Sequence, residues 1–246
     1  MITVGIDLAA EPKNTAAAVL RWRNGRARID QVRAPATDDQ LCALVAGADK
    51  VGLDCPLGWP IAFRDFIDAQ ADGGPLAPAR TIAERRALAY RVTDRWVAQW
   101  HSPLRPLSVS ADRIAHAAFR AAGLLRRLDP SVDRTGYGFV AEVYPIGALH
   151  RWDIRPRSYK GPAGRVTREY IVDALDGIVQ FGFHRALCLD SDHVLDAVIA
   201  GLGAAAVHIG RWSYPRAPEQ LAAARIEGWI AIPECSLAEL SEATRS

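Results

Sequence analysis

Acidic residues end one apolar, strand-like run after another in this chain, and few folds tolerate that. Asp7 closes Met1-Ile-Thr-Val-Gly-Ile-Asp7, Asp54 closes Val51-Gly-Leu-Asp54, and Glu142 follows Phe139-Val-Ala. A fourth acid, Asp196, lies near the start of an apolar, helix-like segment, in Asp192-His-Val-Leu-Asp196-Ala. Desolvating a carboxylate is expensive unless something pairs with it. If these strands are neighbours, the acids converge on one point, and a divalent cation is their natural partner.

A chain of 246 residues, half of them apolar, can bury a sizeable core. One large domain is expected, with room for an insertion. No uncharged apolar stretch reaches the ~18 residues of a membrane span, so no membrane association is expected. The N-terminus starts directly with a strand-like segment and lacks the basic region and cleavage site of a secretory leader. Cys42, Cys55, Cys188 and Cys235 are scattered and form no Cys-x-x-Cys pair. That argues against structural zinc and for reduced thiols in a cytoplasm. The net charge of +2 is too small to count as a nucleic-acid footprint. Lys13, Lys50 and Lys160 are the only lysines; the other 27 basic residues are arginines. Arginine suits bidentate phosphate contacts, although dispersed arginines alongside abundant alanine equally reflect codon usage in a GC-rich genome.

The pattern along the chain predicts an α/β fold. Residues 2–8 alternate and are rich in β-branched side chains, which marks a strand. A second strand over 15–23 and a third over 26–32 flank Asn24-Gly25, a strong hairpin signal. A short helix over 38–46 with Thr37 as N-cap leads to a short, mostly apolar strand over 50–54, as a central strand should be. Cys55-Pro-Leu-Gly-Trp-Pro60 then breaks the pattern. Residues from about 60 to 135 read as an Arg-rich helical insertion over the sheet, with a long helix over 111–128. Strand returns over 139–143, helix over 166–181 and 191–209, and a late edge strand over 227–233.

Sites in open sheets form at the carboxyl ends of central strands, which is where Asp7 and Asp54 sit. Metal-assisted phosphodiester hydrolysis uses oxygen ligands around cations, often two of them ~3.5–4 Å apart. Mg²⁺ accepts a few carboxylates together with water and substrate oxygens. Asp192 and Asp196 are four residues apart on one helix face and repel each other without a cation; His193, three residues before Asp196, falls near that side. Simpler roles stand beside these. Asp7 and Asp54 can be turn formers or caps, and Asp192 can serve the helix dipole. Asp190 and Ser191 read as cap residues. Glu142 can pair with an arginine of the insertion, and Arg91 can pair with Asp94 or contact a substrate phosphate. Tyr144, Trp59 and Trp100 can stack on bases or fill the core. There is no P-loop, because Gly73-Gly74 and Gly161-Pro-Ala-Gly164 lack the Lys-Ser/Thr end, and no nucleophile elbow.

The order meander–helix–strand–helix, with acids on the first strand, on the strand after the first helix and on a late helix, resembles the RNase H-like fold. His193-x-x-Asp196-Ala197 is similar to the metal-ligand pair of RuvC-type resolvase nucleases. More closely, Gly5-Ile-Asp7, Asp54-Cys-Pro-Leu-Gly58, Arg91-Val-Thr-Asp94, Glu142-Val-Tyr-Pro145, Asp196-Ala197 and Glu227-Gly-Trp-Ile230 resemble a family of predicted RNase H-fold nucleases, domain-of-unknown-function family 429. The matches keep their order over nearly the whole chain. The resemblance implies a mixed sheet flanked by helices and a metal site, and with the acids it leads to the expectation of a nuclease that uses Mg²⁺ or Mn²⁺ on DNA or RNA. In that reading Asp7, Asp54, Glu142 and Asp196 are the catalytic acids. Asp7, Asp54, Asp192, His193 and Asp196 are the candidate metal ligands, with Asp7 bridging two cations. Arg91, Asp94 and Tyr144 are the candidate substrate contacts. Two other readings are an RNase H-like binding protein without chemistry and an ATP-dependent phosphotransferase of the same superfamily.

Overall fold

The sheet starts from a turn that the residues at its tip demand. In the computed structural model, which describes residues 1–110, 112–156 and 158–245, Asn24 and Gly25 adopt φ of 49° and 77°. Such a left-handed pair builds the two-residue type I′ hairpin. It joins β2 (Ala16–Arg23) to β3 (Arg26–Arg33), while β1 (Ile2–Asp7) runs antiparallel along the other side of β2. Then comes α1 (Asp38–Leu44), whose start is fixed by reciprocal capping between Thr37 and Gln40. It returns the chain to β4 (Lys50–Asp54), parallel to β1.

Between β4 and β5 (Val140–Val143) lie four helices: α2 (Ile61–Ala71), α3 (Ile82–Ala89), α4 (Val92–Trp100) and α5 (Asp112–Leu128). Ala111, expected to open the last of them, is outside the described residues. The remaining elements are α6 (Pro145–Arg151), α7 (Arg165–Leu175), β6 (Val179–Gln180), α8 (Arg185–Asp190), α9 (Asp192–His208), α10 (Pro218–Glu227), β7 (Ile230–Ala231) and α11 (Leu237–Ala243). The described strands form one sheet in the order β6-β3-β2-β1-β4-β5-β7. An antiparallel three-strand meander is thus extended by parallel strands and covered by helices on both faces, which is an RNase H-like mixed sheet.

Two sequence expectations need correction. The helix expected over 166–181 stops at Leu175; Asp176-Gly177 breaks it, and Val179–Gln180 pairs in parallel with β3 as a short edge strand. The strand expected to begin at Glu227 begins at Ile230. Glu227 ends α10, and Gly228 leaves the helix at φ 88°, the left-handed exit that glycine favours.

Alternate residues of the strands feed two cores. Val4, Ile6 and Leu53 pack with Leu41 of α1 and with Leu124 and Leu125 of α5. Ala18, Leu20 and Trp22 face the opposite way, toward Leu195, Val198 and Leu202 of α9. From Val194 to Val207, every residue of α9 is buried, as its apolar run requires.

The close approach of α9 to the sheet is made possible by two glycines. Gly5 and Gly52 are cross-strand partners on β1 and β4. A Cβ on Gly5 would lie 1.9 Å from the Ala197 carbonyl oxygen, and one on Gly52 would lie 2.4 Å from that of Ala200. Farther along, Thr3 Oγ1 donates to the Gly201 carbonyl (2.9 Å) and accepts from Trp22 Nε1 (3.0 Å), which pins the helix to β1 and β2. Gly5→Ala is therefore expected to cost at least ~1–3 kcal/mol, the usual penalty of overpacking. Gly123→Ala on α5, where a Cβ meets nothing within 4 Å, should instead stabilise by up to ~1 kcal/mol. Thermal denaturation of the two variants checks the contrast, and equal shifts would contradict it.

Candidate metal centre

Strand register decides which carboxylates can meet. Asp7 and Asp54 are cross-strand partners at the carboxyl ends of β1 and β4, two residues beyond Gly5 and Gly52. Side chains alternate along a strand, so both acids stand on the face that carries α9. Asp196 precedes Ala197, whose carbonyl lies against Gly5, and so reaches the same place. One oxygen from each of Asp7, Asp54 and Asp196 lies within 4.8 Å of the other two. Glu142 is the partner of Leu53, one position away from Asp54. That single step turns Glu142 to the other face of the sheet.

On that other face Glu142 belongs to a closed ion-pair network. The Arg91 guanidinium is buried and uses all five N–H donors: two to Asp94, two to Glu142 and one to the Glu227 carbonyl, at 2.7–3.1 Å. The Leu57 N–H also donates to Glu142 (3.1 Å). Glu227 in turn accepts from the N–H groups of Ile61 and Val92, at the starts of α2 and α4. Arg91 and Asp94, candidates for substrate contact, are thus committed to each other and to the sheet, and they fasten the helical segment over it. Glu142 lies at the rim of the same cavity as Asp7 and Asp54, but its oxygens face Arg91.

The three aspartates are held differently. Asp196 is fully buried and accepts a hydrogen bond from the Tyr159 hydroxyl (2.9 Å) and an ion pair from Lys160 Nζ. Asp7 is bonded to His193 Nδ1 (2.6 Å). Asp54 accepts no hydrogen bond from any described residue and faces the cavity. Burial pushes the Asp54 carboxyl well above the usual carboxylate range, and Asp7 and Asp196 push it further. Burial also raises Asp196, to about 6, against the opposing charge of Lys160. The bond to Asp7 raises His193. Tyr144, on the cavity wall, is raised to about 12 by burial and by Asp54. Asp192 occupies the first turn of α9, outside the three-carboxylate cluster, and Ser191 caps that helix through the Val194 N–H.

Charge and distance both fit a cation. In their ionised forms the three carboxylates outnumber the one lysine and one histidine beside them, and the raised pKa values of Asp54 and Asp196 reflect that unmet demand for positive charge. Two oxygens on one Mg²⁺ lie at most ~4.2 Å apart, twice the usual bond length, so small rotations would bring all three acids into range. The cluster can therefore hold a metal ion. The acids Asp7 and Asp54 line a cavity of about 460 Å³, whose apolar lining includes Leu107, Ile114, Tyr144 and Ile146.

Lys160 and Tyr159 were not singled out among the sequence candidates. Lysine is rare in this chain, and that rarity was the available signal, because two of the three lysines have specific duties. Lys160 serves Asp196, and Lys50 is buried against the carbonyls of Gly136 and Gly138.

Fold and site together define an α/β protein whose mixed sheet has the RNase H-like arrangement and whose carboxylate cluster could hold a metal ion. Its sequence places it in a family: the chain belongs to the proteins of unknown function DUF429, whose family model matches residues 5–220. No curated protein and no solved structure matches it significantly.

Two stability predictions follow from these charges. Arg91→Ala strands two buried carboxylates and should cost ~3–5 kcal/mol in denaturant unfolding; a loss below 1 kcal/mol would contradict the network. For Asp196, the folded-state pKa lies above the unfolded value of ~3.9. Its contribution is therefore neutral below pH ~4 and turns unfavourable as pH rises through about 6. In EDTA the wild type should lose stability over that interval relative to Asp196→Asn, on the order of 2–3 kcal/mol. Parallel pH profiles for the two proteins would refute it.

Proposed function

We propose that this protein is a metal-dependent phosphodiester hydrolase acting on nucleic acid, with Mg²⁺ or Mn²⁺ held by Asp7, Asp54 and Asp196. The observation that carries the reading is the in-register pairing of Asp7 with Asp54, closed into a triangle by Asp196 from a buried helix. A bound divalent cation would supply an activated water and charge stabilisation for the leaving oxygen.

The chain's own residues do the rest. The Tyr159 hydroxyl fixes the Asp196 carboxylate, and Lys160 balances its charge until a cation takes that place. His193 orients Asp7, and the same bond favours the protonated imidazole beside the cluster. Lys160, half-exposed at the cavity, offers a positive charge to phosphate oxygens. The apolar walls limit the water around the reacting groups, which strengthens every charge interaction inside. Four free thiols suit a reducing compartment such as the cytoplasm. The described helices include none long and apolar enough to cross a membrane.

The test is cleavage of a panel of structured DNA and RNA substrates with Mg²⁺ or Mn²⁺. Asp7→Asn is expected to reduce cleavage at least ~100-fold, beyond the typical cost of losing a supporting group. Equal cleavage by both proteins would assign the activity to a contaminant and sink the reading. Cation titration provides a second check. At a concentration 100 times its Kd, the ion should stabilise the wild type by ~2.7 kcal/mol and Asp7→Asn by far less.

A further inference from the structure

The small net charge conceals one concentrated basic patch. Arg21 and Arg23 on β2 lie directly opposite Arg28 and Arg26 on β3. Residues two apart share a strand face, so all four guanidiniums stand on one side of the hairpin. That side is the one bearing α1, because Leu20, Trp22, Ala27 and Ile29 point the other way, into the α9 core. Like charges facing each other across strands are destabilising. Among the described residues Asp30 alone answers with a carboxylate, pairing with both Arg21 and Arg28. Arg26 donates through Nη2 to the Asp176 carbonyl (2.6 Å). Four arginines against Asp30 leave +3, whereas the remaining 26 basic and 27 acidic residues sum to −1.

The four arginines, with Asn24 and Gln180, line a groove of about 580 Å³. The Arg26 side chain is anchored only through its Nη2 bond to the Asp176 carbonyl, and no carboxylate among the described residues neutralises it. The groove is remote from the carboxylates. Ala16 pairs with Asp7 and Arg21 with Ile2, which puts Arg21 ~17 Å along the sheet at the strand rise of ~3.4 Å.

We propose that this arginine face of the β2–β3 hairpin is a second binding site, which takes the phosphodiester backbone of a nucleic acid. Guanidinium forks match phosphate oxygens bidentately. The groove lining has no apolar side chain to enter a lipid layer or anchor a peptide. Choosing nucleic acid among polyanions rests on the hydrolase reading above; the anion site itself does not.

Anisotropy titrations of the wild-type chain in EDTA, with short fluorescent DNA and RNA in single- and double-stranded form, test this without any cleavage. Each lost phosphate contact should lower the slope of log affinity against log salt by ~0.9 for a duplex or ~0.7 for a single strand. Arg23→Gln/Arg28→Gln alters two exposed side chains. It should lower the slope by ~1.8 or ~1.4, which is about 60- or 25-fold weaker binding near 0.1 M salt when referred to 1 M. Arg23→Lys/Arg28→Lys should keep the wild-type slope, and neither pair should lower the melting temperature. An unchanged slope in the glutamine variant would overturn the proposal. So would arginine-dependent binding to polyglutamate or anionic vesicles with none to nucleic acid. Absence of cleavage alongside the predicted slopes would overturn the hydrolase reading and leave this site standing.

Discussion

The contact between the backbone of α9 and the backbones of β1 and β4 is the constraint on which the rest of the molecule depends. It exists because Gly5 and Gly52 are register partners and present no side chain to the helix. Any larger residue at either place would lift α9 off the sheet, and Asp196 with it. The same contact imposes a cost at the end of the strands, where the half-buried Asp7 and Asp54 are crowded against the fully buried Asp196. Packing and site chemistry are therefore one feature: the glycines that let the core close also bring the acids together.

The carboxyl edge of the sheet carries two buried polar clusters of opposite character, one per face. Around Arg91 every donor of the guanidinium is spent and the acids are matched geometrically, so the network closes on itself and holds the helical segment in place. Around Asp7, Asp54 and Asp196 the protein supplies Lys160, Tyr159 and His193 and leaves Asp54 without a partner among the described residues. Burial raises both Glu142 and Asp54, but Glu142 is opposed by an adjacent Arg91 while Asp54 is raised further by its neighbours. A structural ion pair and a site awaiting charge differ in that respect.

Much of this was legible in the residues. The Asn24-Gly25 turn, the Thr37 cap, the apolar run after Asp196 and the acids that end β1 and β4 each follow from local rules, and together they gave the α/β sheet and its three converging aspartates. What stayed hidden depended on pairing. Glu142 resembles Asp54 as an acid ending a strand, and only its alignment with Leu53 turns it to the other face. The arginines of Arg21-Trp-Arg-Asn-Gly-Arg-Ala-Arg28 are close in sequence, but only the hairpin register sets them as opposed pairs on one face. Lys160 is distant from Asp196 in sequence and carries no motif. The end of α7 and the short β6 were lost because two strand residues give too little alternation to register.

The central claim is that Asp7, Asp54 and Asp196 form a cation site whose charge Lys160 balances only in part. Anomalous diffraction from crystals soaked in Mn²⁺ measures this directly. The expected result is a manganese peak bonded to oxygens of all three aspartates, with Lys160 turned away from Asp196. Peaks confined to other surfaces, with Lys160 still bound to Asp196 at saturating Mn²⁺, would contradict it.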